Sequence, residues 1–503
     1  MAKTSFGEWQ KTWQSSDALL RSGDVSGARV LLSEVDHKEI PRAQAQPCAQ
    51  LCVRAGLFHQ ALSILLPIVH PEERIKDPVT DAELATYALA LVKIGSTDEA
   101  LQLLAKVSDA CPEKHLHTAF ALQGIWDYEG AFVHLSKYLS LPGLSDYQIA
   151  VAEINLLAAM IPTSRLEAAR SLQLDLRKSF AKAGWSLLLK NLQELSCQLL
   201  IRTDDLSEAK TALENIENEF GVQESIWDFF IAKWKAYVEL RLSPSSQKAR
   251  EKMVALRAKA LELRHWESVR ECDRALAQAT QDRDLLLKVY FGTPYAAYRQ
   301  SVFREAQTWL TIPDQFVLGS ASGRLFDLKR AMSVDQTIQL KPGQALHRCL
   351  VATTADLYRP LYEGNLHAKL FPGEYFNPLS SPVRVLNVVK RFRRWLEEYN
   401  LPLALEVASH SYHLVWRDHA ANFGLIYARE DATISTKEEL GSSVALDRLS
   451  KALGGDEFSS VEAADVLQVS KSSIVKTLGW GVENGRLIKS GSGRTTRYSF
   501  RSP

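Results

Sequence analysis

The first half of this chain repeats itself, and that constrains its fold more than any other feature. The stretch LLRSGDVSGARVLLSEV at 19–35 returns as CVRAGLFHQALSILLPIV at 52–69, LVKIGSTDEALQLLAKV at 91–107 and LQGIWDYEGAFVHLSKYL at 122–139. Each copy has an apolar helix end, a glycine, a short polar turn, then an alanine inside a second amphipathic helix. The pairs are Gly23/Ala28, Gly56/Ala61, Gly95/Ala100 and, more loosely, Gly124/Ala131. Two later segments supply the alanine alone, at Ala168 and Ala209, so the alanines are spaced by 33, 39, 31, 37 and 41 residues. Glycine ends the first helix in a left-handed conformation that other residues resist. Alanine lets the second helix approach closely. One such hairpin cannot bury its apolar face alone, so hairpins at this period stack into a solenoid.

The pattern resembles tetratricopeptide repeats over about residues 1–220, although most of the family's Trp-Leu-Gly-Tyr pattern is missing. Residues 223–308 continue as helix, rich in Ala, Leu and tryptophan (Trp227, Trp234, Trp266). Residues 1–308 are therefore expected to form a TPR-like helical repeat domain without sheet. The resemblance implies a concave surface that binds a protein or peptide partner, or that supports homo-oligomerisation. The aromatic residues read as core between repeats. So do His59, His115, His117 and His134, none of which has a partner at ligand spacing in the sequence.

Beyond residue 311 the pattern changes. Short strand-like runs lead into helices near 343–353 and 358–369, then into PVRVLNVVKRFRRWLEEY. On a helical wheel Val385, Val388, Val389, Phe392, Leu396 and Tyr399 share one face. Arg384, Asn387, Arg391 and Arg394 fall on the other, with Lys390 beside them. This helix has one apolar and one strongly basic face. Its cations come first and Glu397 and Glu398 last, against the helix macrodipole. The acids stand where they could offset Arg393 and Arg394 at i,i+4. Cations placed against the dipole suit something outside the helix, and a nucleic-acid backbone is the natural candidate. LALEVASHSYHLVW then reads as a two-stranded hairpin.

Small sheet, three helices and a hairpin, with VLNVVKRFRRWLEE and SYHLVW as markers, resemble the winged-helix domain of OmpR/PhoB-type response regulators over 312–417. The resemblance implies that the third helix enters the major groove and that the hairpin touches the flanking backbone. The chain departs from that family in two ways. Ala408-Ser409-His410-Ser411 replaces the usual Arg-Gly-x-Gly of the wing, and no receiver domain precedes, so control by phosphorylation is not implied.

Residues 418–444 read as a linker. At 458–500 a second unit follows. Ser459 and Glu462 form a capping box for a helix at 460–467, a second helix runs over about 471–484, and RLIKS and TRYSF are strands around Gly491-Ser492-Gly493. With a preceding helix in ALDRLSKAL, the span 445–503 resembles DeoR- and MarR-like winged helix-turn-helix domains. That resemblance places Ser470, Lys471, Ser472, Ser473, Lys476 and Thr477 near bases or phosphates, and Arg494, Thr495 and Arg497 on the wing. The fold class expected is thus mainly α, a TPR-like α-solenoid followed by two small α+β winged-helix domains.

Charge supports this division. Residues 1–311 hold 36 Lys and Arg against 39 Asp and Glu, 312–417 hold 13 against 9, and 470–503 hold 7 against 1. The basic charge gathers toward the C-terminal end, as it would if that part met a polyanion. The six cysteines lack paired metal spacing and read as buried hydrophobes in a reducing compartment. No signal peptide or membrane-length apolar run is found, so a cytoplasmic protein is expected. Walker A, HExxH, GxSxG and GxGxxG patterns are absent, so no enzyme, cofactor or metal is expected. The expected function is a DNA-binding transcriptional regulator of bacterial type, with double-stranded DNA as partner. The alternative is a scaffold of the PCI-type assembly kind, in which helical repeats and winged helices contact proteins.

Overall fold

The computed structural model describes residues 6–36, 40–71, 77–220, 226–417, 422–429, 445–446, 449–450, 452–453, 457–467, 469, 471–483, 486–491 and 496–500. Helices fill the first part. They are α1 (Phe6–Ser22), α2 (Val25–Ser33), α3 (Arg42–Arg54), α4 (Phe58–Val69), α5 (Asp81–Lys93), α6 (Thr97–Leu104), α7 (Pro112–Gly124) and α8 (Tyr128–Leu139). Then come α9 (Asp146–Met160), α10 (Leu166–Ala183), α11 (Ser186–Arg202), α12 (Leu206–Phe220), α13 (Ile226–Leu242), α14 (Gln247–Glu262), α15 (Trp266–Thr280), α16 (Arg283–Phe291) and α17 (Ala296–Ala306). No strand occurs among the described residues before Gln315. The chain is a helical-repeat protein.

One turn geometry builds the stack. In α1–α2, α3–α4 and α5–α6 the turn residue is Gly23, Gly56 or Gly95, with φ between 78° and 87°. In α7–α8, α9–α10 and α11–α12 the same left-handed position is held by Trp126, Ser164 and Asp204, with φ between 61° and 64°. In all six turns the next amide bonds back to a carbonyl of the first helix, as from Asp24 to Leu19 and from Asp127 to Leu122, both 2.9 Å. These are Schellman-type closures, which satisfy the orphan carbonyls at a helix end. At a constant distance beyond the turn residue stand Ala28, Ala61, Ala100, Ala131, Ala169 and Ala209, each with no exposed surface. Two sequence assignments are corrected. The fourth turn pivots on Trp126 rather than Gly124, and the buried alanine of the fifth hairpin is Ala169, while Ala168 is exposed. The geometry persists where the glycine does not, which is why the repeat fades in the sequence.

An α/β unit follows: β1 (Gln315–Gly319), β2 (Arg324–Asp327), β3 (Met332–Ser333), α18 (Ala345–Ala355), β4 (Leu361–Tyr362), α19 (Glu363–Leu370), α20 (Ser381–Glu398), β5 (Leu403–Ala408) and β6 (Ser411–Trp416). Strand β7 (Phe423–Ala428) lies within the span read as a linker, and this corrects that reading. It sits inside a four-stranded sheet of order β1-β7-β2-β3, antiparallel to β1 and parallel to β2. Phe423, Leu425 and Tyr427 are buried, and the Tyr427 hydroxyl donates to the Thr354 carbonyl at 3.0 Å. The second sheet has order β4-β6-β5, and Ala408 pairs with Ser411 across a two-residue turn.

This unit is not an independent bead on the solenoid. Its core is continuous with α13 to α17: Phe229, Val269, Leu286 and Val302 belong to the same apolar cluster as Phe326, Val351 and Phe392. The Phe291 and Phe316 rings stack 5.4 Å apart across the junction. A buried ion pair reinforces the junction, with Arg270 donating twice to Asp356 at 2.6 and 2.7 Å. On its other side the unit meets the N-terminal hairpins. The amide of Gly364 donates to the Ile94 carbonyl at 2.9 Å. Gly95 sits so close to Asn365 that an added Cβ would lie 2.0 Å from its Oδ1. Phe376, in the loop before α20, is fully buried in the core of α1 to α6.

At the C-terminal end, α21 (Ser460–Leu467), α22 (Lys471–Glu483), β8 (Leu487–Ser490) and β9 (Arg497–Phe500) enclose a small core of Leu446, Leu449, Phe458, Ile474, Leu478 and Tyr498. Strands β8 and β9 are antiparallel, and Phe458 bridges to Tyr498 beside them. The capping box forms: the Ser459 amide donates to Glu462 Oε2 at 2.6 Å, and the Glu462 amide donates to Ser459 Oγ at 3.2 Å. Among the described residues no helix is long and apolar enough to cross a membrane.

Candidate nucleic-acid interface

Helix α20 carries the strongest candidate surface. Pro382 starts it, and Val385, Val388, Val389, Phe392, Trp395 and Leu396 are buried against α18, α19 and β5. Each such side chain contributes roughly 1.5–3 kcal/mol when withdrawn from water, so the orientation of the helix is fixed by its apolar face. Asn387, Lys390, Arg391 and Arg394 are consequently exposed. The i,i+4 salt bridges to Glu397 and Glu398 do not form. Arg393 instead turns to the sheet and donates twice to the Leu405 carbonyl, at 2.9 and 2.6 Å, which clamps β5 onto the helix. Among the described residues Lys390, Arg391 and Arg394 have no ion-pair or hydrogen-bond partner, and their charge faces solvent. Arg384 departs from the sequence reading. It is half-buried, lies 4.1 Å over the Phe371 ring and pairs with Glu374, so it braces the loop rather than adding to the free basic face.

The β5–β6 turn is turned inward. Ser409 and His410 both adopt positive φ, 47° and 62°, as a two-residue hairpin requires. Glu363, at the start of α19, donates its amide to the His410 carbonyl at 2.9 Å. His59 on α4 lies 2.8 Å from the Glu363 carboxylate. His59, read in the sequence as core without a partner, therefore joins the solenoid to this turn.

In the terminal unit, Lys476 is exposed and Thr477 half-buried on α22. Arg497 is exposed and pairs with Glu462 at 2.9 Å, so one cation expected on a phosphate is engaged within the unit. Lys471, Ser472 and Ser473 lie in the first turn of α22, where only their backbone is described. Ser470, Arg494 and Thr495 lie outside the described residues.

A second feature lies in the solenoid. A cavity of about 860 Å³ opens between the helices from α8 to α17, lined by Trp126, Trp234, Tyr237, Arg241, Arg274 and Trp309 among others. Most of its charges are paired. Glu305 accepts from Arg202 and from Arg274 Nε, each at 3.0 Å, and Arg241 donates to Asp204 at 2.9 Å. Burial alone would raise the Glu305 carboxyl, but Arg274 holds it below its ordinary range. Trp126, Asp204 and Gln281, three left-handed turn residues that are not glycine, line this cavity. The sequence did not reveal it, because its walls come from seven helices at unrelated spacings.

No protein family and no curated protein matches this chain. Among solved structures it is similar to the Rap conjugation gene regulator of plasmid pLS20 in complex with a Phr peptide. That match has 12% identity and a TM-score of 0.36, and covers 60% of this chain and 93% of that one. It is also similar to the human IFIT1 dimer with m7Gppp-AAAA, at 11% identity and a TM-score of 0.30, covering 61% of this chain and 69% of that one.

Proposed function

We propose that this protein is a non-enzymatic DNA-binding regulator in which the α/β unit, a winged helix, presents α20 to double-stranded DNA. The observation that carries the reading is the face of Asn387, Lys390, Arg391 and Arg394, exposed and unpaired on a helix whose opposite face is locked into a core. Unpaired cations along one helix suit a row of phosphates, and a polar Asn among them suits a base edge. The terminal unit adds a second helix-and-hairpin surface with a basic excess. The aromatic cavity of the solenoid is the place for a peptide or protein signal, because it is concave, large and mixed in polarity.

A second reading, a protein-contact scaffold, is favoured by one observation. Leu379 and Val383, 71% and 58% exposed, flank the start of α20, and an apolar patch there suits a protein partner. The experiment that separates the two readings is binding of the full chain to random duplex DNA, followed by fluorescence anisotropy through a salt titration. A regulator of this kind binds with a steep negative dependence of log K on log salt. Binding that is absent at low salt leaves the scaffold reading.

A further inference from the structure

His59, Glu363 and His410 come from three elements far apart in the chain: α4 in the second hairpin, the first residue of α19, and the β5–β6 turn. The fold brings one ligand atom of each within 4.8 Å of the others. His59 Nε2 lies 2.8 Å and His410 Nδ1 3.5 Å from the same carboxylate oxygen, Glu363 Oε2. The two imidazole rings are 4.6 Å apart. Around a tetrahedral zinc ion with bonds of about 2.0–2.2 Å, neighbouring donor atoms sit roughly 3.3 Å apart. The two separations from Oε2 bracket that value.

The surroundings suit a ligand set. Glu363 is 2% exposed, and the Tyr412 hydroxyl faces its other oxygen, Oε1, in a long hydrogen bond of 3.4 Å. This leaves Oε2 directed at the imidazoles, as an outer hydrogen bond orients a metal-binding carboxylate. The His59 separation is that of an ordinary hydrogen bond, whereas His410 Nδ1 stands at the outer limit of one, so hydrogen bonding alone does not account for both imidazoles converging on Oε2. The side chains of His59 and His410 are 30% and 64% exposed, so a remaining coordination position faces solvent. Two imidazoles and one carboxylate favour zinc and its first-row neighbours over magnesium or calcium.

We infer that His59, Glu363 and His410 form a binding site for a divalent transition ion, with zinc the best match, which joins the solenoid to the hairpin turn of the α/β unit. The inference stands whether or not that unit binds DNA.

The test uses the full chain, stripped of metal and kept reduced, titrated with Zn²⁺ alone against a chromogenic chelator. The chain binds zinc, and His59→Ala and His410→Ala each weaken that site by about 100-fold or more, since loss of even an outer-shell partner costs 10–100-fold. His134→Ala is the control. Its ring nitrogen lies 3.3 Å from that of His115, a second imidazole pair that belongs to no three-ligand cluster among the described residues, and its loss leaves the site unchanged. Co²⁺ in place of Zn²⁺ gives a visible absorption band that His410→Ala removes. His410 is exposed, so its removal opens no cavity, and circular dichroism verifies the fold of each variant. Zinc affinity that is the same in His410→Ala and in the parent, or no zinc binding by the parent, overturns the inference.

Discussion

Phe376→Ala tests how the α/β unit is held to the N-terminal hairpins. The ring is fully buried, and among the described residues it is the one beyond Val107 in the buried core built by α1 to α6. It meets the edges of His59 and His367, with ring centroids 6.0 and 5.3 Å away. Its backbone is held on both sides, the amide donating to Glu99 at 2.9 Å and the carbonyl accepting from the Tyr87 hydroxyl at 3.4 Å. Those bonds survive the substitution, so the loss is the ring's transfer and cavity cost, about 3–5 kcal/mol for a buried Phe. Urea denaturation of the variant should show a loss in this range. Hydrogen exchange should rise in 6–107 and 371–380 and stay unchanged in α13 to α17, whose core is separate. A loss below about 1 kcal/mol, or exchange raised evenly through the chain, would refute the view that Phe376 is a principal anchor of the unit on these hairpins.

The left-handed turns supply a pair of opposed predictions. Ser164→Gly, at an exposed residue with φ 61°, should stabilise by about 1 kcal/mol in thermal or urea unfolding, whereas Gly95→Ala should destabilise by more than that, because its Cβ would strike Asn365. Asp356→Ala should cost about 3–5 kcal/mol by leaving Arg270 buried without its bidentate partner, measured by urea unfolding. His367 is fully buried, and burial holds its imidazole down at about 4 against an ordinary value near 6.5. The unfolded chain therefore takes up the proton first, so this residue's stability is present above about pH 6.5 and is lost as the pH falls toward 4. At pH 4.5 the loss reaches about 2–3 kcal/mol, and His367→Gln should show a correspondingly smaller drop between pH 7 and 4.5.

The sequence revealed the helical stack because glycine and alanine recur where backbone conformation and close packing demand them. It lost the register where Trp126, Ser164 and Asp204 take the left-handed position, since Trp and Ser do not announce a positive φ and Asp does so far more weakly than Gly. The amphipathic pattern of α20 was legible, and burial of Val385, Val389 and Phe392 follows from it. The fate of its arginines was not. Arg384 and Arg393 turn to Phe371, Glu374 and the Leu405 carbonyl, which only the folded neighbours supply. Strand β7 was missed because FGLIYA is a short apolar run without alternation, and its sheet partners lie about a hundred residues upstream. The His59–Glu363–His410 cluster joins residues more than three hundred positions apart, beyond any spacing rule.

The most direct test of the central claim compares the parent with Arg391→Ala/Arg394→Ala in duplex DNA binding across a salt series. Both side chains are exposed, so the fold should be unaffected. If α20 lies on DNA, affinity falls and the slope of log K against log salt flattens by about 1.8, roughly 0.9 for each phosphate contact removed. An unchanged slope and affinity would contradict the account and leave this face of α20 without a nucleic-acid role.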